Sequence, residues 1–163
     1  MGSSKKRAGR GRARGEQGVA VVEFALIMSL LFMLLFGIIH YGLTLSFKQD
    51  MTRAAAEGAR AGAVVFPASG QSFEDAAYAA AQTATEEAVR SFGGSFADDG
   101  CLREGMQCNV SYPAPCIEDA SHMCITVELI YDYGDHPLYG RMPIVEAALP
   151  ESIRAVSVAR INE

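Results

Sequence analysis

A long apolar stretch near the start of the chain limits its possible folds more than any other feature. Residues 18–47 read GVAVVEFALIMSLLFMLLFGIIHYGLTLSF and hold one formally charged side chain, that of Glu23. At about 1.5 Å per residue, a helix over residues 24–47 would cover about 36 Å, more than the roughly 30 Å hydrocarbon core of a bilayer. The sequence therefore predicts a transmembrane helix over residues 19–47.

The charges are divided between the two sides of this stretch. Residues 1–18 carry a net charge of +5, whereas residues 19–163 carry a net charge of −10. Basic residues beside a span hold that flank in the cytoplasm. We therefore expect a cytoplasmic tail over residues 1–18, disordered in isolation, and a translocated head domain over residues 48–163. A role in setting the membrane orientation also accounts for these basic residues better than binding to nucleic acid does.

The boundary of the apolar stretch suggests how the chain is processed. The apolar core is too long for an ordinary signal peptide, and small residues spaced for cleavage occur only after the chain has become polar. Gly18, by contrast, directly precedes the stretch and has Glu23 five residues after it, whereas the residue five after Gly15 is Ala20. This spacing resembles the type IV prepilin pattern, in which a peptidase cuts after glycine and a glutamate is the fifth mature residue.

The residues beyond the boundary narrow the resemblance. Residues 36–42 read FGIIHYG and residues 54–63 read AAAEGARAGA. Together with the prepilin pattern they resemble the TadE-like family, minor pilins or pseudopilins of the tight-adherence (Flp) pilus system, with the best match over residues 15–65. His40 departs from the family, which often has an acid at that position.

The resemblance implies a processing site between Gly18 and Val19, and an assembly role for Glu23 and Phe24. The implied partners are the membrane, a prepilin peptidase, other pilin or pseudopilin subunits and the inner-membrane machinery of the pilus. Cleavage would free the α-amino group of Val19, which is largely protonated at neutral pH and can offset the charge of Glu23. The ammonium could belong to the same subunit or to a neighbour, and the alternative is an unpaired carboxylate at headgroup level.

Residues 48–65 are predicted to continue the helix beyond the membrane, because they are rich in alanine and contain no proline. Ala54, Gly58 and Gly62 recur every four residues and form a face that another backbone can approach closely. Either the sheet of the head or a neighbouring subunit could use this face.

The rest of the head is predicted to be α+β. A second helix is expected from about Ser72, as N-cap, to Phe92, and Gly93 and Gly94 end it. Its packing side is predicted to be formed by small and aromatic residues, namely Phe73, Ala77, Ala80, Ala84 and Ala88. Strands are expected over residues 109–112, 125–133 and 153–161, and they would form a small antiparallel sheet.

Four cysteines lie in the translocated part, at Cys101, Cys108, Cys116 and Cys124. An even number of cysteines in an oxidising compartment favours disulfides, and the three possible connectivities stay open. The spacing lacks the CxxC pairs of a structural zinc site, so no metal ligands are assigned. No catalytic constellation and no phosphate-binding loop are recognisable, and we expect neither an enzyme nor a cofactor.

The sequence therefore predicts a minor pilin-like structural subunit of a bacterial pilus machine, anchored in the inner membrane with its head in the periplasm, or at the cell surface after assembly. The alternative is an uncleaved single-span protein whose disulfide-bonded head binds an envelope partner.

The charge asymmetry predicts the orientation of the chain. A reporter that is active only after export should work when it is fused to Glu163, and a reporter that is active only in the cytoplasm should give no signal. Reporter activities in intact cells check this, and the reverse pattern would contradict the assigned orientation.

Overall fold

The computed structural model describes the backbone of residues 12–138 and 150–161, and the side chains of these ranges from residue 18 onward. The helices are α1 (Arg12–Ala63), α2 (Phe73–Arg90) and α3 (Phe96–Asp99), followed by a 3₁₀ turn over Gly100–Leu102. The strands are β1 (Met106–Val110), β2 (Ala114–Pro115), β3 (Met123–Asp132) and β4 (Ser152–Ile161). These elements confirm the predicted α+β architecture.

Two compact units divide the chain, residues 1–40 and residues 41–163. In the first unit the described residues belong to α1, which begins at Arg12. Residues 12–17 extend the apolar helix toward the N-terminus, since arginine, alanine, glutamate and glutamine are good helix formers. Whether the tail is disordered in isolation stays a prediction. Residues 1–11 and 139–149 lie outside the described residues.

In the second unit, α1 buries one side and exposes the other. Its buried residues recur at helical spacing, as expected for a helix that packs on a core: Thr44, Phe47, Met51, Ala54, Ala55, Gly58, Ala59 and Gly62. Most of these residues are small, so the neighbouring helix can lie close to the backbone of α1.

Helix α2 has the predicted boundaries, and its ends show why. The Ser72 hydroxyl accepts a hydrogen bond from the amide of Asp75 at 3.1 Å, which satisfies one of the free donors of the first turn. After Arg90 the chain leaves the helix through Gly93 and Gly94, whose φ angles of 78° and 57° are readily adopted only by glycine.

The buried side of α2 differs in part from the predicted one. Ala77 and Ala88 are buried as expected, but the side between them runs through Ala81 and Thr85, whereas Ala80 and Ala84 are half-buried. Thr85 can lie on this apolar side because its hydroxyl donates a hydrogen bond of 2.6 Å to the carbonyl oxygen of Ala81, one turn earlier.

The sheet is antiparallel and centred on β3. Strand β4 pairs along the whole of β3 on one side, from Met123 opposite Ile161 to Asp132 opposite Ser152. On the other side β3 pairs first with β2 and then with β1. The predicted alternation along β3 is confirmed, since its fully buried residues occupy every second position: Ile125, Val127, Leu129 and Tyr131.

The first predicted strand is displaced in the structure. The sequence indicated residues 109–112, but β1 covers Met106–Val110, and the short β2 was not predicted. The reason is the register with β3, which places Met106 opposite Tyr131 and Val110 opposite Val127, so that pairing begins earlier in the chain. Strand β4 agrees with its prediction, although Val156 and Val158 lie on its exposed face.

The core of the head contains an aromatic cluster between the two layers. Phe47 of α1 lies 5.1 Å from Tyr131 of β3 and 5.7 Å from Phe96, between ring centroids, and both pairs are tilted or edge-on. Offset and edge-on aromatic pairs contribute beyond their buried area. Phe47 therefore fixes the start of the head segment of α1 against the sheet.

Both disulfides are present, and they join neighbours in the sequence: Cys101 to Cys108 and Cys116 to Cys124. The first joins the 3₁₀ turn to β1, and the second joins the end of β2 to β3. On the chain-entropy account, closing loops of this size contributes about 2 to 3 kcal/mol each. This is a substantial share for a head with a modest core.

At Gly58 and Gly62 the backbone of α1 lies close to α2. A Cβ atom at Gly58 would lie 2.1 Å from the Thr85 hydroxyl oxygen, and one at Gly62 would lie 2.9 Å from the carbonyl oxygen of Ala77. The Thr85 side chain beside Gly58 can be shortened by mutation. The Ala77 carbonyl oxygen beside Gly62 belongs to the backbone and cannot be removed.

We therefore expect the two glycines to respond differently to the same test. Gly58→Ala should destabilise the head by about 1 to 2 kcal/mol, because overpacking outweighs the gain in helix propensity. Thr85→Ala should relieve most of this penalty but leave the penalty of Gly62→Ala unchanged. Unfolding of the full chain in detergent measures both cycles. If Gly58→Ala destabilised the wild type and the Thr85→Ala variant equally, the assigned contact between Gly58 and Thr85 would be contradicted.

Candidate functional site

Up to Ile39, the apolar segment of α1 in the first unit has exposed side chains on all of its sides, whereas His40 is buried. The exposed large apolar residues up to position 40 are Val19, Val21, Val22, Phe24, Leu26, Ile27, Leu30, Leu31, Phe32, Met33, Leu34, Leu35, Phe36, Ile38 and Ile39. The helix over Gly18–Ala63 is long and apolar enough to cross a membrane. A surface of this kind needs hydrocarbon or other apolar helices around it.

Glu23 interrupts this apolar surface close to its start. It lies four residues after Val19, so the two side chains project from the same side of the helix, and Phe24 is its neighbour. Val19 and Phe24 are 68% and 61% exposed. Among the side chains that the structure describes, none forms a hydrogen bond or ion pair with the carboxylate of Glu23. A carboxylate without a partner is costly at membrane depth.

Gly18, at the predicted processing site, lies within α1 and is exposed, and the space where a Cβ would stand is open. No neighbouring side chain therefore requires a glycine here. Glycine costs about 1 kcal/mol relative to alanine in a helix, so the packing gives no reason for glycine at this position.

The small face formed by Ala54, Gly58 and Gly62 is occupied by α2 of the same chain, as described above. The opposite side of α1 is exposed and carries an ion pair between Arg53 and Glu57 at 2.8 Å. The hydrogen bond to Glu57 raises the pKa of Arg53 above its ordinary value. This leaves the charged side of α1, rather than the small one, exposed.

The first disulfide loop is held by two residues that the sequence did not single out. Glu86 of α2 accepts a hydrogen bond of 2.9 Å from the amide of Cys101, and it also accepts one from Arg90. Arg90 in turn donates to the carbonyl oxygen of Asp98 at 2.8 Å. The i, i+4 spacing of Glu86 and Arg90 was the visible signal, but it indicates only a helical pair and not the loop that they hold.

The start of α2 is joined to the chain after β1 by a second polar contact. Tyr112 donates a hydrogen bond to Asp75 at 2.8 Å, and the Ser72 hydroxyl donates another at 2.7 Å. The hydroxyl of Ser72, and then that of Tyr112, lower the pKa of Asp75, while Asp75 raises the pKa of Tyr112. The contact fixes the helix start against the sheet and has no catalytic geometry.

The second disulfide loop contains a serine, a histidine and an aspartate in contact. Ser121 donates to Oδ1 of Asp119 through its hydroxyl and its amide, and Nδ1 of His122 lies 2.6 Å from Oδ2 of Asp119. In a catalytic triad the serine and the aspartate contact different nitrogens of the imidazole. Here Ser121 also meets Nδ1, at 3.0 Å, so the three residues form a turn and not a proton relay.

Metal-binding geometry is not present among the described residues, where no three His, Cys, Asp or Glu side chains come together as a potential metal site. The four cysteines are all in disulfides. A cleft of about 720 Å³ opens beside the second disulfide loop between β2 and the end of β4.

Comparison with known proteins finds a match for the first part of the chain. The family model described as TadE-like protein matches residues 18–60. The resemblance seen in the sequence is therefore confirmed over the segment that contains the apolar helix and Gly58. Comparisons with curated proteins and with solved structures find no match to this chain.

The hydrogen bonds at Asp119 predict a pH dependence. They lower its pKa from 3.8 to about 2, with the Ser121 hydroxyl and amide as the first causes and His122 next. The contribution of these bonds to loop stability is therefore complete above pH 3.8 and is lost as the pH falls through about 2.

The amide proton of Ser121 reports this titration directly, because it donates to the carboxylate at 3.1 Å. We expect its NMR chemical shift to change with a midpoint near pH 2 in the full chain, and Asp119→Asn should abolish the change. Asp98→Asn, at an exposed acid outside the loop, is the control and should leave the midpoint in place. A midpoint near 3.8 would show that the carboxylate is not held as described.

Proposed function

We propose that this chain is a minor pilin-like structural subunit of a tight-adherence (Flp) pilus machine. A prepilin peptidase removes residues 1–18, and the subunit then assembles through its N-terminal helix. The observation that carries the proposal is the exposed apolar surface of α1, interrupted by Glu23, within the segment that matches the TadE-like family model.

Before assembly, the subunit spans the inner membrane once, with residues 1–18 in the cytoplasm and the head in the periplasm. The positive tail supports this orientation. The disulfides support it too, since they persist in the periplasm and are rare in the cytoplasm.

Processing at Gly18 gives Glu23 a partner. Cleavage creates an ammonium at Val19, four residues from the carboxylate on the same side of α1. At 4 Å and an effective dielectric constant of 20, two unit charges attract each other by about 4 kcal/mol before desolvation is subtracted. A pair between neighbouring subunits would also fix the axial register of their helices, because the two charges can meet in only one alignment.

The head acts as a structural module in this proposal. Its helices and sheet enclose an aromatic core, two disulfides close its loops, and the small face of α1 is already used by α2. Contacts with other subunits of the pilus are therefore left to the apolar part of α1 and to the exposed surfaces of the head.

The processing step is tested by two glycine substitutions with the same change in size. Gly18→Val should leave the basic leader attached in cells that contain the cognate peptidase, because the peptidase pattern requires glycine at this position. Gly15→Val should be processed like the wild type, since no glutamate stands five residues after Gly15. Gel mobility and an antibody against the leader distinguish the two forms. Blocked processing in both variants would point to a general effect on the leader.

The register role of Glu23 is tested by moving the carboxylate rather than only removing it. Glu23→Val should insert and be cleaved but should not associate with other copies, since removal of a charge makes insertion easier. The double variant Val22→Glu/Glu23→Val keeps a carboxylate at nearly the same depth but turns it by about 100° around the helix. Co-purification of two differently tagged copies should be lost in both variants. Association of the double variant would show that a charge at that depth is sufficient.

A further inference from the structure

The sheet has an outer face, formed by the side chains that alternate with the buried ones. On β4 the residues of this face are Arg154, Val156, Val158 and Arg160, and all four are exposed. Among the described strands, β4 pairs only with β3, so it forms an edge of the sheet. Two exposed valines on an edge strand make a surface that another protein can cover.

The cleft of about 720 Å³ opens on this outer face. Its lining includes Thr126 of β3, Val158 of β4 and the loop that the disulfide between Cys116 and Cys124 closes. Ile117 belongs to this loop and is fully exposed. Because the disulfide already restricts the loop, docking of Ile117 costs less conformational entropy than docking of an open loop would.

Two charges of opposite sign line the cleft from different elements. Glu118 belongs to the disulfide loop and Arg160 to β4, and both side chains are exposed. Neither forms a hydrogen bond or an ion pair within the part of the chain that the structure describes. The other acid of the cleft, Asp119, already accepts hydrogen bonds from Ser121 and lies against His122. The cleft therefore offers one open acid and one open base.

This arrangement of charges is complementary to itself. In a two-fold contact between identical chains, each residue meets its counterpart's partner twice. Glu118 of each copy would face Arg160 of the other, so one contact forms two pairs of opposite charge. Ile117 of each copy could cover Val158 of the other. A ligand with a single charge would instead be attracted by one side of the cleft and repelled by the other.

We propose that the head binds a second copy of this chain through this cleft, in a two-fold contact that pairs Glu118 with Arg160. The surface is small, so the contact is weak, and an equilibrium measurement detects it whereas co-purification does not. The proposal goes beyond the proposed function and requires neither cleavage at Gly18 nor association through α1. Each can therefore fail without the other.

The test measures energy transfer between donor-labelled and acceptor-labelled copies of the full chain in detergent. All copies carry Glu23→Val, so that any remaining association through α1 is the same in every sample. Glu118→Arg alone and Arg160→Glu alone should each weaken self-association about tenfold or more, because each change turns both attractions into repulsions. A mixture of these two variants should associate like the parent chain, since both pairs again join opposite charges.

The double variant Glu118→Arg/Arg160→Glu separates a contact between copies from an ion pair within one copy. It should associate with itself like the parent chain, but about tenfold or more weakly with the parent chain, because like charges then meet at both positions. An ion pair within one copy would give the opposite pattern. The double variant would bind the parent chain normally, and the mixture of the two single variants would stay weak.

Three further variants serve as controls. Glu104→Arg and Arg60→Glu make the same changes at exposed positions outside the cleft, and they should leave association unchanged. Ile117→Ser should weaken self-association about tenfold without lowering the unfolding temperature, since this side chain is fully exposed.

Three results would overturn the proposal. The first is no association of the parent chain at concentrations up to about 1 mM. The second is a mixture of the two single variants that associates no more tightly than each variant alone. The third is normal binding between the double variant and the parent chain, and this result is decisive even if a single variant fails to fold.

Discussion

Helix α1 has an exposed apolar segment and a segment that packs in the head, and the rest of the structure follows from this constraint. Up to Ile39, α1 exposes apolar side chains on every side, as a helix among lipids or other apolar helices does. From Thr44 onward, the same helix buries one side in the head and carries charges on the other. The head must therefore cover only a narrow side of α1, and small residues on that side allow close packing.

In this head, close packing of α1 against α2 takes the place of contacts between large apolar side chains. Alanine and glycine bury little apolar area, so the contact gains from the short distance between backbones more than from large side chains. The larger share of apolar burial comes from β3 and the aromatic cluster around Phe47 and Tyr131. The two disulfides then close the loops that carry few core residues.

Much of this architecture could be predicted from the sequence, because its strongest signals are local. The length of the apolar stretch predicted the long helix, Ser72 and the Gly93-Gly94 pair bounded α2, and the alternation from Ile125 predicted β3. These signals depend on caps, turns and periodicity, which the chain carries in short segments.

The features that the sequence did not predict depend on tertiary contacts. The start of β1 at Met106 follows from its register with β3, and the buried side of α2 runs through Thr85 because a local hydrogen bond satisfies its hydroxyl. The roles of Glu86 and Tyr112 require partners 15 and 37 residues away. The disulfide connectivity was likewise open, because four cysteines at similar spacing allow three pairings.

The central claim is that the apolar segment of α1 is the mature N-terminus of an assembling subunit and not a permanent anchor behind a cytoplasmic tail. Intact-mass measurement of the full protein, purified from cells that contain the cognate prepilin peptidase, tests this most directly. Our account predicts a chain that begins at Val19 with a free amino group and lacks four cysteine hydrogens. A chain that still begins at Met1 or Gly2 would contradict it and favour an uncleaved protein whose head binds an envelope partner.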